Sequence, residues 1–127
     1  MTDQYVPGAC NIGPAEIALR RRAGHVGLAV TAILAAALLR SDLPRAWRLT
    51  LALPAAGAAA GYLQARQQFC ANYGFRGLYN FDSRGHEQRV PATVSQAEDR
   101  RRARQITATS TAIGVGVGLI ATLIKWR

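Results

Sequence analysis

A chain of 127 residues holds one domain at most. Half of it is apolar, yet its mean hydropathy is +0.02, so apolar and charged residues must lie in separate segments. Sixteen Lys and Arg against seven Asp and Glu give a net charge of +9, which selects an anionic membrane surface or nucleic acid as partner, and two cysteines exclude a disulfide framework.

The chain opens with PGACNIGPAEIALRRRAG, residues 7–24. Gly13-Pro14 is a helix-start signal, with Pro at the first helical position and Glu16 in the first turn. The spacing predicts a helix over 14–39, about 39 Å at 1.5 Å per residue. Its first turns carry Arg20, Arg21 and Arg22. Its remainder is an uncharged run of seventeen residues, Ala23 to Leu39. A second run, Leu49 to Leu63, has fifteen residues. It is short by itself and stretches to 46–65 through Trp47 and Tyr62 if Arg48 and Arg66 snorkel their charges outward. Pro44 lies in the short link between the two and predicts an antiparallel hairpin. Ser95 and Glu98 form a capping box, which predicts a long helix over 96–124. That helix contains the third run, Ile106 to Ile124, nineteen residues with Trp126 just beyond its end.

A hydrocarbon core of about 30 Å needs roughly 17–25 helical residues. The expected fold class is therefore an all-α membrane protein with three transmembrane helices. Residues 1–13 are an N-terminal segment, 14–65 a transmembrane hairpin, 66–95 a basic aromatic loop, and 96–127 a helix with the third span. A soluble three-helix bundle is the competing reading. It requires a polar face on each helix, and these runs are apolar on every face. Pro54, Gly57, Gly61, Gly114, Gly116 and Gly118 would weaken soluble helices but are common in membranes. A cleaved signal peptide is set aside because a long prefix precedes the first run. Three spans put the N-terminal flank and the long connection on one side, with eleven Lys and Arg there against five opposite. The positive-inside rule then places the N-terminus and residues 66–105 in the cytoplasm and the C-terminus outside.

Gly57-x-x-x-Gly61 and Gly114-x-x-x-Gly118 let helix backbones approach closely. They are read as packing faces, either for a partner or second copy, or among the three spans. Arg20, Arg21, Arg22, Arg100, Arg101, Arg102 and Arg104 are read as headgroup contacts that fix orientation on anionic lipid. Phe69, Tyr73, Phe75, Tyr79 and Phe81, with Arg76 among them and Arg84 just after, read as an interfacial segment. Aromatics with arginine also suit nucleobase stacking, but beside a span the membrane interface is the simpler account and nucleic acid is not the expected partner.

Cys10 and Cys70 fall on the same side and begin similar segments, CNIG and CANYG. A lipoprotein site fails for want of a preceding apolar stretch. A metal site needs three or four ligands, and Cys10, Cys70, His25 and His86 are not expected to converge. A facing thiol pair, activated by adjacent arginines, is one open reading. Small residues in interfacial turns are the other. His25 is read as an interfacial residue rather than a haem ligand, and no cofactor is expected. Within this region, CNIG, EIALRR, AGHVGL and FCANYG resemble a small bacterial inner-membrane family of two-helix hairpins that includes the membrane domain attached to some rhodaneses. Asn11, Gly13, Arg20, Arg21, Gly24, Cys70 and Tyr73 carry the resemblance, over residues 10–80. It implies a bacterial inner-membrane location. Cys70-Ala71 stands where that family has Cys-Pro, the third span is extra, and no rhodanese domain is present, so sulfur transfer is not carried over.

No nucleophile–base–orienter set, P-loop or dinucleotide fingerprint is present, and the three apolar runs carry no Asp, Glu, Lys or Arg for ion transport. The expectation is a non-enzymatic accessory, structural or assembly subunit of a larger membrane complex, or a small homo-oligomer. A sulfur or redox relay through Cys10 and Cys70 is the alternative, and a membrane-anchored nucleic-acid binder the third.

Overall fold

The computed structural model describes residues 5–81, 88–91 and 93–124. The chain is mostly helical. Its order is α1 (Pro14–Arg40), a 3₁₀ segment (Arg45–Leu51), α2 (Ala52–Gln67), α3 (Ala71–Arg76), strands β1 (Leu78–Tyr79) and β2 (Gln88–Arg89), and α4 (Thr93–Leu123). Helix α1 starts where the sequence signals it, with Gly13 as N-cap and Pro14 at the first position. Helix α4 starts at Thr93, ahead of the Ser95 capping box. Expected positions Arg84, His86, Lys125, Trp126 and Arg127 lie outside the described residues.

The second apolar run is not one α-helix. Pro54 has no N–H to give to Thr50, and its ring crowds that carbonyl. The α pattern therefore begins at Ala52, which keeps Pro54 in the first turn where proline is tolerated. The residues before it wind more tightly, as 3₁₀. At the other end Gln68 adopts a left-handed conformation (φ 55°) that stops α2.

The stretch 66–95, expected as a loop, carries α3 and a small antiparallel ladder in which Leu78 pairs with Arg89 and Tyr79 with Gln88. Helix α3 forms because its first amide is already matched: Gln64 Oε1 accepts from Ala71 N at 2.8 Å. Gly77, at φ 69°, ends it in the left-handed region that favours glycine.

Packing through the middle of the bundle runs backbone to backbone. A Cβ on Gly61 would sit 2.6 Å from Gly24 N and 2.7 Å from Arg20 O, and one on Gly27 would sit 2.8 Å from Ala58 N. Further along, Leu38 packs with Leu51, so α1 and α2 run in opposite directions along their seam. Helix α4 takes the other side of α2, where Gly114 meets Ala52 and Ala56 and Gly118 meets Leu49. Larger side chains cluster at the two ends. Phe69, Ala103 and Ile106 form one group, Ile12, Cys70 and Tyr73 another beside it, and Leu38, Leu51 and Ala121 a third at the far end.

Arg48 corrects an expectation. It does not snorkel outward but is buried, and its Nη1 donates to the Ala121 carbonyl at 2.9 Å and the Ile124 carbonyl at 2.7 Å. The reason is electrostatic: the last carbonyls of a helix are unpaired and carry partial negative charge, which a guanidinium satisfies.

Two helices, α1 and α4, are long and apolar enough to cross a membrane by length and composition. The most apolar 18-residue window of α1 is 11% buried and that of α4 is 28% buried.

Candidate functional site

The N-terminal segment, the start of α1 and the α2–α3 connection meet at one end of the bundle and enclose a polar cluster. Asn11 is its organiser. Fully buried, it accepts from Cys70 N at 2.7 Å through Oδ1 and donates to the Cys70 carbonyl at 3.2 Å through Nδ2. Its own backbone is paired on both sides, from Asn11 N to Gln68 O at 3.1 Å and from Asn80 N to Asn11 O at 2.9 Å. The next amide outward, Gly13 N, donates to Asn80 O at 2.9 Å. A Cβ on Gly13 would lie 2.7 Å from Phe81 O, so only glycine fits there.

Cys70 is held rigidly by this clasp, and its sulfur faces α1. Arg20 Nη2 donates to Cys70 Sγ at 2.9 Å. The same guanidinium lies 3.8 Å from Glu16 Oε1, one turn earlier, and 5.9 Å from the Tyr73 ring centroid. Glu16 is 2% exposed; it is paired with Arg20 and accepts from the Tyr73 hydroxyl and, at 3.5 Å, from Asn80 Nδ2. Burying a carboxylate is costly unless it is paired and hydrogen-bonded, and this set of donors supplies both. A recess of about 360 Å³ opens beside the cluster, lined by polar Arg20, Gln64, Cys70 and Asn72 over a floor of Gly57, Ala60 and Gly61. The arrangement presents a sulfur, a guanidinium and two amides to whatever enters.

Cys10 has different surroundings. Its thiol lies 3.7 Å from the Ile12 carbonyl and 3.8 Å from Gln68 Oε1. Both cysteines are buried free thiols. Among the described residues no group of three or more His, Cys, Asp or Glu is placed to hold a metal ion.

A second clasp fastens residues 5–8 to α4. Asp99, fully buried, accepts from the Tyr5 hydroxyl and from Gly8 N, the latter at 2.7 Å. Arg102 closes it, donating to the Gly8 carbonyl at 2.8 Å and to Gln67 Oε1 at 3.2 Å. Burial pushes the Tyr5 hydroxyl well above its usual value, and its hydrogen bond to the Asp99 carboxylate pushes it further.

The expected site residues are distributed unevenly over these features. Arg20 belongs to the Cys70 cluster and Arg102 to the second clasp, while Arg21, Arg22, Arg101 and Arg104 are exposed and Arg100 partly so. Phe69 does not lie at the surface but is fully buried against Ala103 and Ile106, because the left-handed Gln68 turns it inward. Tyr73 is buried on Glu16; Phe75 is exposed; Tyr79 sits between Tyr5 and Phe81, at centroid distances of 5.1 and 5.9 Å. Of the four packing glycines, Gly61, Gly114 and Gly118 face other helices of this chain. Gly57 does not: a Cβ there meets nothing within 4 Å. His25 Nδ1 lies 2.7 Å from the Tyr62 hydroxyl. Sequence reasoning missed Glu16 and Asp99 as site residues. The available signal was the Glu16–Arg20 spacing of one helical turn.

No family model matches the chain, and neither a curated protein nor a solved structure matches it.

Proposed function

We propose that the chain is an integral membrane protein of three spanning helices that acts by binding, as an accessory or assembly subunit of a larger membrane complex. The observation that carries this reading is the bare surface of α1. A core helix of a water-soluble protein hides its apolar residues, whereas the most apolar window of α1 is 11% buried. Ile33, Leu53 and Leu123 are 72%, 80% and 76% exposed, which costs little in lipid and much in water. The second span draws on length. Seven 3₁₀ residues followed by the sixteen of α2 rise about 38 Å, enough for a hydrocarbon core of about 30 Å. Arginine asymmetry supports a cytoplasmic polar end with Cys70, and a far end with Arg48 outside. The hairpin resemblance over residues 10–80 agrees with a bacterial inner-membrane location.

Washing of membranes with alkaline carbonate tests the first half of this reading. The chain is expected to stay in the pellet and to require detergent, and release by carbonate would refute it. Native electrophoresis in mild detergent tests the second half. A particle larger than one chain is expected; a lone monomer from native membranes would sink the subunit reading.

A second reading, thiol chemistry at the polar end, is favoured by the 2.9 Å contact from Arg20 to Cys70 Sγ beside an open recess. A cationic neighbour is one of the features that make a cysteine reactive, and it is present here although Cys70 itself is buried. Under this reading Cys70 is the working thiol, and Cys10 is the only second thiol available to it.

A further inference from the structure

We propose that the outer seam of α1 and α2 holds one anionic phospholipid, with an acyl chain in an apolar groove and the phosphate on Arg22. The proposal rests on the membrane reading above. The groove has a volume of about 590 Å³ and is lined on α1 by Leu19, Arg22, Ala23, Val26 and Val30, a stripe at helical spacing, and on α2 by Pro54 and Gly57. Gly57 is what opens it. A Cβ on Gly57 meets nothing within 4 Å, whereas Gly61, one turn further along α2, is pressed against α1.

Two features select a lipid over a partner helix. The first is charge. The groove is apolar except at Arg22, which forms no ion pair among the described residues. It shares walls at Ala23 and Gly57 with the neighbouring recess lined by Arg20, Gln64 and Asn72. An apolar groove with a cation at one end and an amide-lined recess beside it matches an amphiphile with an anionic head. The second is length. From Arg22 to Val30 the stripe covers about 12 Å at 1.5 Å per residue. One leaflet of a core of about 30 Å is about 15 Å deep. The groove therefore follows a single chain through most of one leaflet, with its cation at headgroup depth.

The test uses the full chain purified in mild detergent and delipidated, then given dioleoylphosphatidylglycerol, dioleoylphosphatidylcholine or inorganic phosphate, with native mass spectrometry and thermal melting as readouts. One phosphatidylglycerol is expected to bind at least tenfold tighter than phosphatidylcholine and to raise the melting temperature, and phosphate alone is expected to do neither. Gly57→Leu puts an isobutyl group into the groove from a position where a Cβ meets nothing within 4 Å, so it is expected to fold and to lose phosphatidylglycerol binding at least tenfold. Arg22→Gln is expected to keep one lipid but bind the two types equally. Gly116→Leu is the control: Gly116 is equally open but lies on α4, and binding should be unchanged. Equal binding to wild type and Gly57→Leu overturns the proposal. So does equal preference for the two lipids in wild type, or stabilisation by phosphate alone. A dimer that forms in wild type and is lost in Gly57→Leu would assign the groove to a second copy instead. Carbonate washing separates the two readings: a chain that stays in the membrane yet fails these tests refutes the groove alone.

Discussion

Asn11 holds Cys70 by both ends of its amide, accepting from the Cys70 N–H at 2.7 Å and donating to the Cys70 carbonyl at 3.2 Å. A side chain thus replaces one rung of a strand pair, deep in the protein and 59 residues away in sequence. Asn11→Ala leaves a buried donor and a buried acceptor unpaired, which costs roughly 2–4 kcal/mol. Asn11→Asp is expected to do no better, because a carboxylate cannot donate to the carbonyl. Melting in detergent checks both; a wild-type midpoint for Asn11→Ala would show that the clasp carries no stability.

The Cys70 sulfur is expected to be the reactive one. In Cys10→Ser, iodoacetamide should still label the folded chain, and in Cys70→Ser labelling should fall at least tenfold. Arg20→Gln should slow labelling of the Cys10→Ser protein several-fold, since the guanidinium that touches sulfur is gone. Mass spectrometry under native conditions reads all three, and labelling confined to Cys10 would remove the thiol reading.

The glycines separate by where they face. Gly61→Ala places a methyl 2.6 Å from the Gly24 amide nitrogen and Gly114→Ala places one 2.4 Å from the Ala52 carbonyl, so each must push two helices apart. Overpacking of this kind costs about 1–3 kcal/mol. Gly57→Ala and Gly116→Ala meet nothing and are expected to be neutral or slightly stabilising. Melting midpoints of the four variants should fall into these two pairs.

Arg48→Met removes the donor from the last carbonyls of α4. Charged hydrogen bonds of this type contribute about 1.5–3 kcal/mol. The loss should be local. Hydrogen exchange is expected to accelerate in the last turn of α4 and in the 3₁₀ segment, and to stay unchanged around Cys70. Uniform acceleration along the chain would argue against a capping role.

Tyr5 has its ionisation raised by burial and by Asp99, so the folded state favours the neutral hydroxyl. A raised value means that this stability is fully present below the unfolded value of about 10 and is lost as pH rises beyond it. The clasp on α4 should therefore hold across neutral pH and loosen in strong alkali, where a phenolate would face the Asp99 carboxylate. In ultraviolet titration, the tyrosinate step missing from Tyr5→Phe should lie above pH 10. A missing step at or below that pH would refute the clasp.

The helices were legible because their signals are local. Gly13-Pro14 starts α1 as read, and the apolar runs lie within α1, the 3₁₀–α2 segment and, but for Ile124, α4. Pro54 was visible, but its effect, 3₁₀ winding upstream, depends on where the α-helix begins. The candidate site was half legible. Cys70, Arg20 and Tyr73 stood out as residues, while Glu16 passed for an ordinary first-turn acid and Phe69 for a surface ring.

Composition and periodicity alone determined the helical class, the three apolar runs and the arginine asymmetry, because each depends on neighbours within a few turns. Only the tertiary structure decided which polar residues meet. Asn11 finds Cys70, Asp99 finds Tyr5, and Arg48 finds the end of α4, across 59, 94 and 73 residues. Such partners are selected by the cost of burying an unpaired polar group, and that cost exists only once the helices have packed.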